Sequence, residues 1–224
     1  MSMRIAREIT YPESDGKPMA ETPYHMRAMI DAIETLRLWF APNHRIYVWG
    51  NLFVYYVPNN QRKSFSPDVM VVKGVDRDRP RRVFKIWEEG RGPSAIIEIT
   101  SRKTRAEDTG KKFQLYQDVL KVREYFLFDP LEEYLKPPIK GYRLRRGAYV
   151  PIETEEARVP SKELGLHLEK HGNALRFWNP ETGRWLPTWE EALQEERIRK
   201  QQTDAENERL RRELAELRRK QQSG

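Results

Sequence analysis

Three side chains of this sequence have types and positions that could do chemistry together. Glu98 lies within the apolar run of SAIIEIT, Asp68 follows a proline at the head of another apolar run, and Lys112 belongs to the segment that follows Glu98. Charges seldom enter such strands without a partner or a metal. Neighbouring strands lie about 4.8 Å apart, so two carboxylates on one face would come within a few ångström of each other and repel. Either one of them is protonated, or a hard cation such as Mg²⁺ sits between them, held by carboxylate oxygens, a backbone carbonyl and waters. A third arrangement leaves one or both carboxylates facing solvent at a sheet edge.

Helical rotation of roughly 100° per residue places Lys112 within the arc shared by Phe113, Leu115, Tyr116, Val119 and Leu120, and turns Lys111 about 130° away from its centre. Lys112 is therefore expected to point inward and Lys111 outward, unless the Lys112 stem snorkels to solvent. Beside a metal-bound carboxylate pair, an ammonium could orient an attacking water and stabilise charge developing on a phosphate.

Thr22 and Pro23 start a helix of about 17 residues whose apolar positions recur at helical spacing until Pro42. Arg45 to Val57 reads as a strand or tight hairpin covered on both sides, with Gly50-Asn51 as a turn or bulge. Phe65 to Val72, interrupted at Ser66-Pro67-Asp68, is its antiparallel neighbour. Strand Ser94 to Thr100, helix Glu107 to Leu120 and strand Glu124 to Phe128 give a β, α, β order, hence an α/β core with a central mixed sheet flanked by helices. From about residue 131, short strands at Tyr142 to Arg145, Ala148 to Pro151, Leu166 to Lys170 and Ala174 to Trp178 read as a β-rich extension. The domain plan is a lead-in over 1–21, a core over 22–187, and a charged helix over 188–224. In that helix Leu193, Lys200, Asn207 and Leu214 form one seam position, and Glu196, Thr203, Leu210 and Leu217 the other. It could pair as a coiled coil in a homodimer or stand as a solitary helix.

The chain has no cysteine, which excludes disulfides and thiolate metal sites. No apolar run is long enough to span a membrane and the N-terminus lacks a signal-peptide core, so a soluble, cytoplasmic protein is expected. The formal charge is +7, and residues 190–220 hold nine acidic and nine basic residues. The excess therefore falls on residues 1–189, where it suits either a polyanionic partner or plain solubility. Residues 73–93 interleave Arg77, Arg79, Arg81, Arg82 and Lys85 with Phe84 and Trp87. That pattern fits nucleic-acid contacts or a loop anchored by its aromatics. His25, His44, His167 and His171 show no ligand spacing and receive no role.

The segments SPDVMVV, AIIEITSRKTRAEDTGKKFQLY and VREYFLFDP, in this order, resemble the Uma-two family, which is classed with restriction endonucleases of the PD-(D/E)xK fold. The similarity covers roughly residues 22 to 152. It implies Asp68 and Glu98 as metal ligands with the main-chain carbonyl of Ile99, Mg²⁺ or Mn²⁺ as the cofactor, and a lysine near the scissile phosphate. Thr100 stands where the motif usually has lysine, and the resemblance moves the lysine to Lys112. An acid from the first helix often assists, which makes Glu34, with Asp31 behind it, the candidate. Arg102, Lys103 and Arg105 sit at the strand's C-terminal mouth, where phosphate would lie, with Arg81 and Arg82 as further nucleic-acid contacts. Asp108, Ser101 and Thr104 read mainly as structural helix-start residues. The implied activity is metal-dependent hydrolysis of DNA. The alternative is a non-catalytic nucleic-acid-binding or assembly module dimerising through its tail.

Overall fold

The computed structural model describes residues 10–14 and 22–222. The lead-in expected over 1–21 lies outside the described residues except at 10–14, where the Pro12 carbonyl accepts from the Tyr55 hydroxyl at 2.7 Å. The chain divides into two compact units between Leu186 and Pro187.

The first unit opens with α1 (Pro23–Trp39), 17 residues with Thr22 as its cap, whose side chain accepts from the His25 N–H at 3.3 Å. The chain continues through β1 (Ile46–Trp49), β2 (Val54–Tyr55), β3 (Ser64–Phe65), β4 (Val69–Lys73), β5 (Phe84–Lys85), α2 (Ile86–Glu89) and β6 (Ala95–Ile99). The helical run α3 comprises Glu107–Lys111, Lys112–Gln114 and Leu115–Val119, with the outer segments π-wound and the middle one α. There follow β7 (Glu124–Phe128), β8 (Ile139–Arg145), β9 (Ala148–Pro151), β10 (Val159–Ser161), β11 (Leu166–His171), β12 (Ala174–Asn179) and β13 (Arg184–Trp185).

The central sheet runs β1-β4-β6-β7-β8-β9. Only β6 and β7 pair in parallel, joined by the α3 crossover, while the other neighbours are antiparallel. Alternation along β6 separates its side chains. Ala95, Ile97 and Ile99 face the core built with Ala28, Met29, Ala32 and Leu36 of α1. Ile96 belongs to the opposite core, with Met70, Val72, Tyr116 and Tyr125. Glu98 shares the parity of Ile96, so it must enter the α3 side.

The stretch expected over Arg45 to Val57 as a strand or tight hairpin is neither. Its first part joins the central sheet as β1, and β2 moves to a small sheet between β3 and β5. Strands β8 and β9 extend the central sheet rather than forming an extension of their own. The separate sheet is β10-β11-β12-β13. It is bound to β7 through Glu124, whose buried carboxylate accepts from Arg143 Nε at 2.7 Å and Ser161 Oγ at 2.5 Å.

The second unit is α4 (Trp189–Gln222), 34 residues long. Thr188 and Glu191 cap it reciprocally, at 3.2 and 2.8 Å. Leu210 and Leu214 are exposed. The Leu217 side chain lies outside the described set. Among the described residues no helix is long and apolar enough to cross a membrane.

Candidate active site

Val69 lies opposite Ile97 in the antiparallel β4–β6 pair, and one further step sets Asp68 opposite Glu98. The Asp68 N–H donates to Glu98 Oε2 at 3.3 Å, and the Ile99 N–H donates to Asp68 Oδ2 at 2.7 Å. N–H and C=O of one residue project to the same side of an extended strand, so the Ile99 carbonyl faces the side on which Asp68 lies. Gly50 seats this step, because a Cβ there would stand 1.8 Å from the Asp68 carbonyl oxygen. Next to it, the Asn51 N–H donates to the Pro67 carbonyl at 2.8 Å. The Gly50-Asn51 pair is thus a backbone clamp on the proline–aspartate step.

Helix α3 supplies the cation. Lys112 Nζ lies 2.9 Å from Glu98 Oε2 and 3.4 Å from Asp108 Oδ1, while the Tyr116 hydroxyl donates to Glu98 Oε1 at 2.6 Å. Asp108, Lys112 and Tyr116 are spaced by four. In an α-helix each four-residue step turns the row by about 40°, and the wider π winding reduces that drift, so the three point the same way. Thr100 completes the shell by donating to Asp108 Oδ2 at 2.8 Å, with the Tyr134 hydroxyl 2.5 Å from Thr100 Oγ1.

Glu98 is fully buried. Burial pushes its carboxyl up to about 8. The Lys112 ammonium opposes that rise, and Asp68 and Asp108 add to it. For Lys112, burial works against the charged form, yet Glu98, Asp68 and Asp108 outweigh it and hold the ammonium above its ordinary value. A buried anion so weakly compensated is one that a further cation would stabilise.

The structure brings Asp68, Glu98 and Lys112 together, and Lys111 is exposed. Glu34 and Asp31 make pairs along α1, with Arg37 at 3.0 Å and Arg27 at 2.8 Å. The α1 residue at the carboxylates is His25, whose Nε2 lies 3.3 Å from Asp68 Oδ1. No spacing rule signals that contact, which depends on how the first turn of α1 lies against the site. Asp108 is likewise a member of the site, and its i, i+4 spacing from Lys112 was the available signal.

Arg81 corrects the expectation of a nucleic-acid contact. Its side chain is 2% exposed, it pairs with Glu89 at 2.8 Å, and it lies over the Tyr47 ring at 4.4 Å, so it cannot reach a phosphate. Phe84 is buried beside it, so this stretch, which includes β5 and α2, is anchored to the core. Arg82 is 83% exposed and pairs with Glu13. At the mouth of β6, Arg102 donates to the Glu133 carbonyl at 3.2 Å, Arg105 lies over the Tyr134 ring at 5.3 Å, and Lys103 is exposed.

Two carboxylates and the Ile99 carbonyl are hard oxygen donors, a set that fits a divalent cation retaining much of its water shell. Among the described residues no group of three or more His, Asp or Glu stands ready to hold a metal. The fit therefore rests on the two acids, the carbonyl and water.

No curated protein matches the sequence. Among solved structures, one described as "a putative nuclease belonging to DUF820 from Anabaena variabilis ATCC 29413" is similar in fold. Its TM-score is 0.52 at 17% identity, covering 74% of this chain and 92% of that one. The two share a fold. The model of the Uma2 (Uma-two) family, described as "Putative restriction endonuclease", matches residues 3–171. With that match across most of its 224 residues, the chain belongs to the Uma2 family.

Proposed function

We propose that this protein is a metal-dependent endonuclease that hydrolyses phosphodiester bonds in DNA. Asp68, Glu98 and the Ile99 carbonyl would hold Mg²⁺ or Mn²⁺, and the observation that carries the reading is Asp68 and Glu98 opposed across β4–β6 with Lys112 against Glu98. When bound, the cation supplies Lewis acidity and a more acidic water. Tyr116 fixes Glu98 Oε1, which sets the rotation of that carboxylate. Lys112 has three N–H donors, of which two face Glu98 and Asp108, leaving one to orient a water or a phosphate oxygen. Thr100 holds Asp108, and so fixes the ammonium from below. Arg102, Lys103 and Arg105 supply phosphate contacts at the mouth, with the exposed Arg82 as a further one. Helix α4 offers a seam for pairing with a second copy.

Cleavage of plasmid and single-stranded DNA with Mg²⁺ or Mn²⁺ tests this. Lys112→Ala is expected to lower cleavage by about two powers of ten or more with DNA binding nearly unchanged, and Lys111→Ala to cost little. A wild type that binds DNA tightly and cuts nothing would replace the enzyme with a binding module.

A further inference from the structure

A second charged recess lies at the other end of the same strands. It measures about 420 Å³ and is lined by Lys73 at the end of β4, Arg91 and Ser94 before β6, and Lys121 and Arg123 between α3 and β7. The four cations do not belong to one helix face or one loop. Three separate segments converge to bring them together.

Their partners are incomplete. Glu163 lies 3.1 Å from Lys73 and 3.3 Å from Arg123. Among the described residues, Arg91 and Lys121 have no acidic partner. At Arg91 the backbone leaves room for the side chain. Gly74 has φ +91°, and a Cβ there would meet Arg91 Nε at 2.8 Å, so the glycine makes room for the guanidinium stem. Lys121, at φ +53°, is the left-handed residue that ends α3, where the Val122 N–H returns to the Tyr116 carbonyl at 2.9 Å.

Converging cations in a concave site are stabilised by an anion, and a guanidinium with ammonium groups suits phosphate oxygens. No aromatic side chain lines the recess, so nothing there reads a base by stacking. Ser94 and Glu98 are four residues apart, about 13 Å along a strand, so a phosphate here is distinct from one beside Glu98. We infer that this recess binds phosphate groups, at a site separate from the carboxylate pair. The inference stands whether or not the protein cleaves DNA.

Calorimetric titration of the metal-free protein with pyrophosphate tests it, because without a divalent cation the carboxylate end repels the probe. Wild type is expected to bind with a salt-dependent Kd. Arg91→Gln and Lys121→Gln should each weaken binding about tenfold, whereas Asp68→Asn should leave it unchanged. Both glutamine substitutions are at exposed side chains, and thermal melts confirm that the variants fold. Competition with a short DNA duplex identifies the source of the phosphate. Displacement of pyrophosphate, lost in Arg91→Gln, marks the nucleic-acid backbone, and no displacement marks a small phosphate ligand. Absence of wild-type binding, or equal binding by Arg91→Gln and Lys121→Gln, would overturn the inference.

Discussion

Strands β4 and β6 carry opposite charge at their two ends. At one end Asp68 and Glu98 face each other, with Glu98 fully buried and its carboxyl raised to about 8. At the other, Lys73, Arg91, Lys121 and Arg123 ring a recess, and the last three are exposed. Water screens the exposed cations, so they need few partners. The buried acid is screened by none and is therefore surrounded by Lys112, Tyr116 and the Asp68 N–H. Like charges gathered on open ground make a landing surface, whereas like charges gathered in the interior tune one another's protonation.

The largest effect that could break this contrast is on pH dependence. Because the folded state raises Glu98 from 4.5 to about 8, its contribution to stability is complete below pH 4.5 and is lost as pH rises toward 8. The folding constant of the metal-free protein should fall by at most about tenfold per pH unit across that window. Lys112, also raised, gives the same sign at higher pH. Denaturant melts of wild type and Glu98→Gln should differ in this slope, while Arg91→Gln should keep the wild-type slope. Identical slopes in wild type and Glu98→Gln would remove the buried acid from the account.

Glu98→Gln should also lower Mg²⁺ or Mn²⁺ affinity at least tenfold, about 1.4 kcal/mol or more, read by calorimetry. Gly50→Ala sharpens the geometry behind it. Crowding the Asp68 carbonyl should destabilise the fold by about 1–3 kcal/mol and weaken metal binding with it. Gly110→Ala in α3, where a Cβ would meet nothing within 4 Å, is the matched control. Smallest of all is removal of residues 187–224. The core should stay folded and both charged ends unaltered, since residues 190–220 balance nine acids with nine bases. If sedimentation finds the truncated protein still dimeric, α4 is not the pairing element.

Much of this site was legible in the chain. Lys112 was separable from Lys111 because helical rotation turns them to opposite faces, and Glu98 was conspicuous because a lone acid interrupts an apolar strand. Helix α1 and the β6-α3-β7 unit followed from apolar period and caps. His25 was not legible, because its contact with Asp68 depends on how α1 lies across the sheet. For the same reason Glu34 could not be placed from its residue type. The break at Gly50 was ambiguous between turn and bulge, since only the approach of Asp68 decides it. Strands β8 and β9 have the same local pattern as β11 and β12, and sheet membership is set by long-range pairing that alternation does not encode.

The parallel joining of β6 to β7 through α3 has a kinetic consequence. Glu98 meets Lys112 across 14 residues and Tyr116 across 18, but meets the Asp68 N–H only across 30. Each doubling of a loop adds about 0.6 kcal/mol of closure entropy. The ammonium–carboxylate half of the constellation can therefore close early, within one local unit, and the second carboxylate arrives on a half-built scaffold. In that order the repulsion between the two acids enters only when β4 docks against β6.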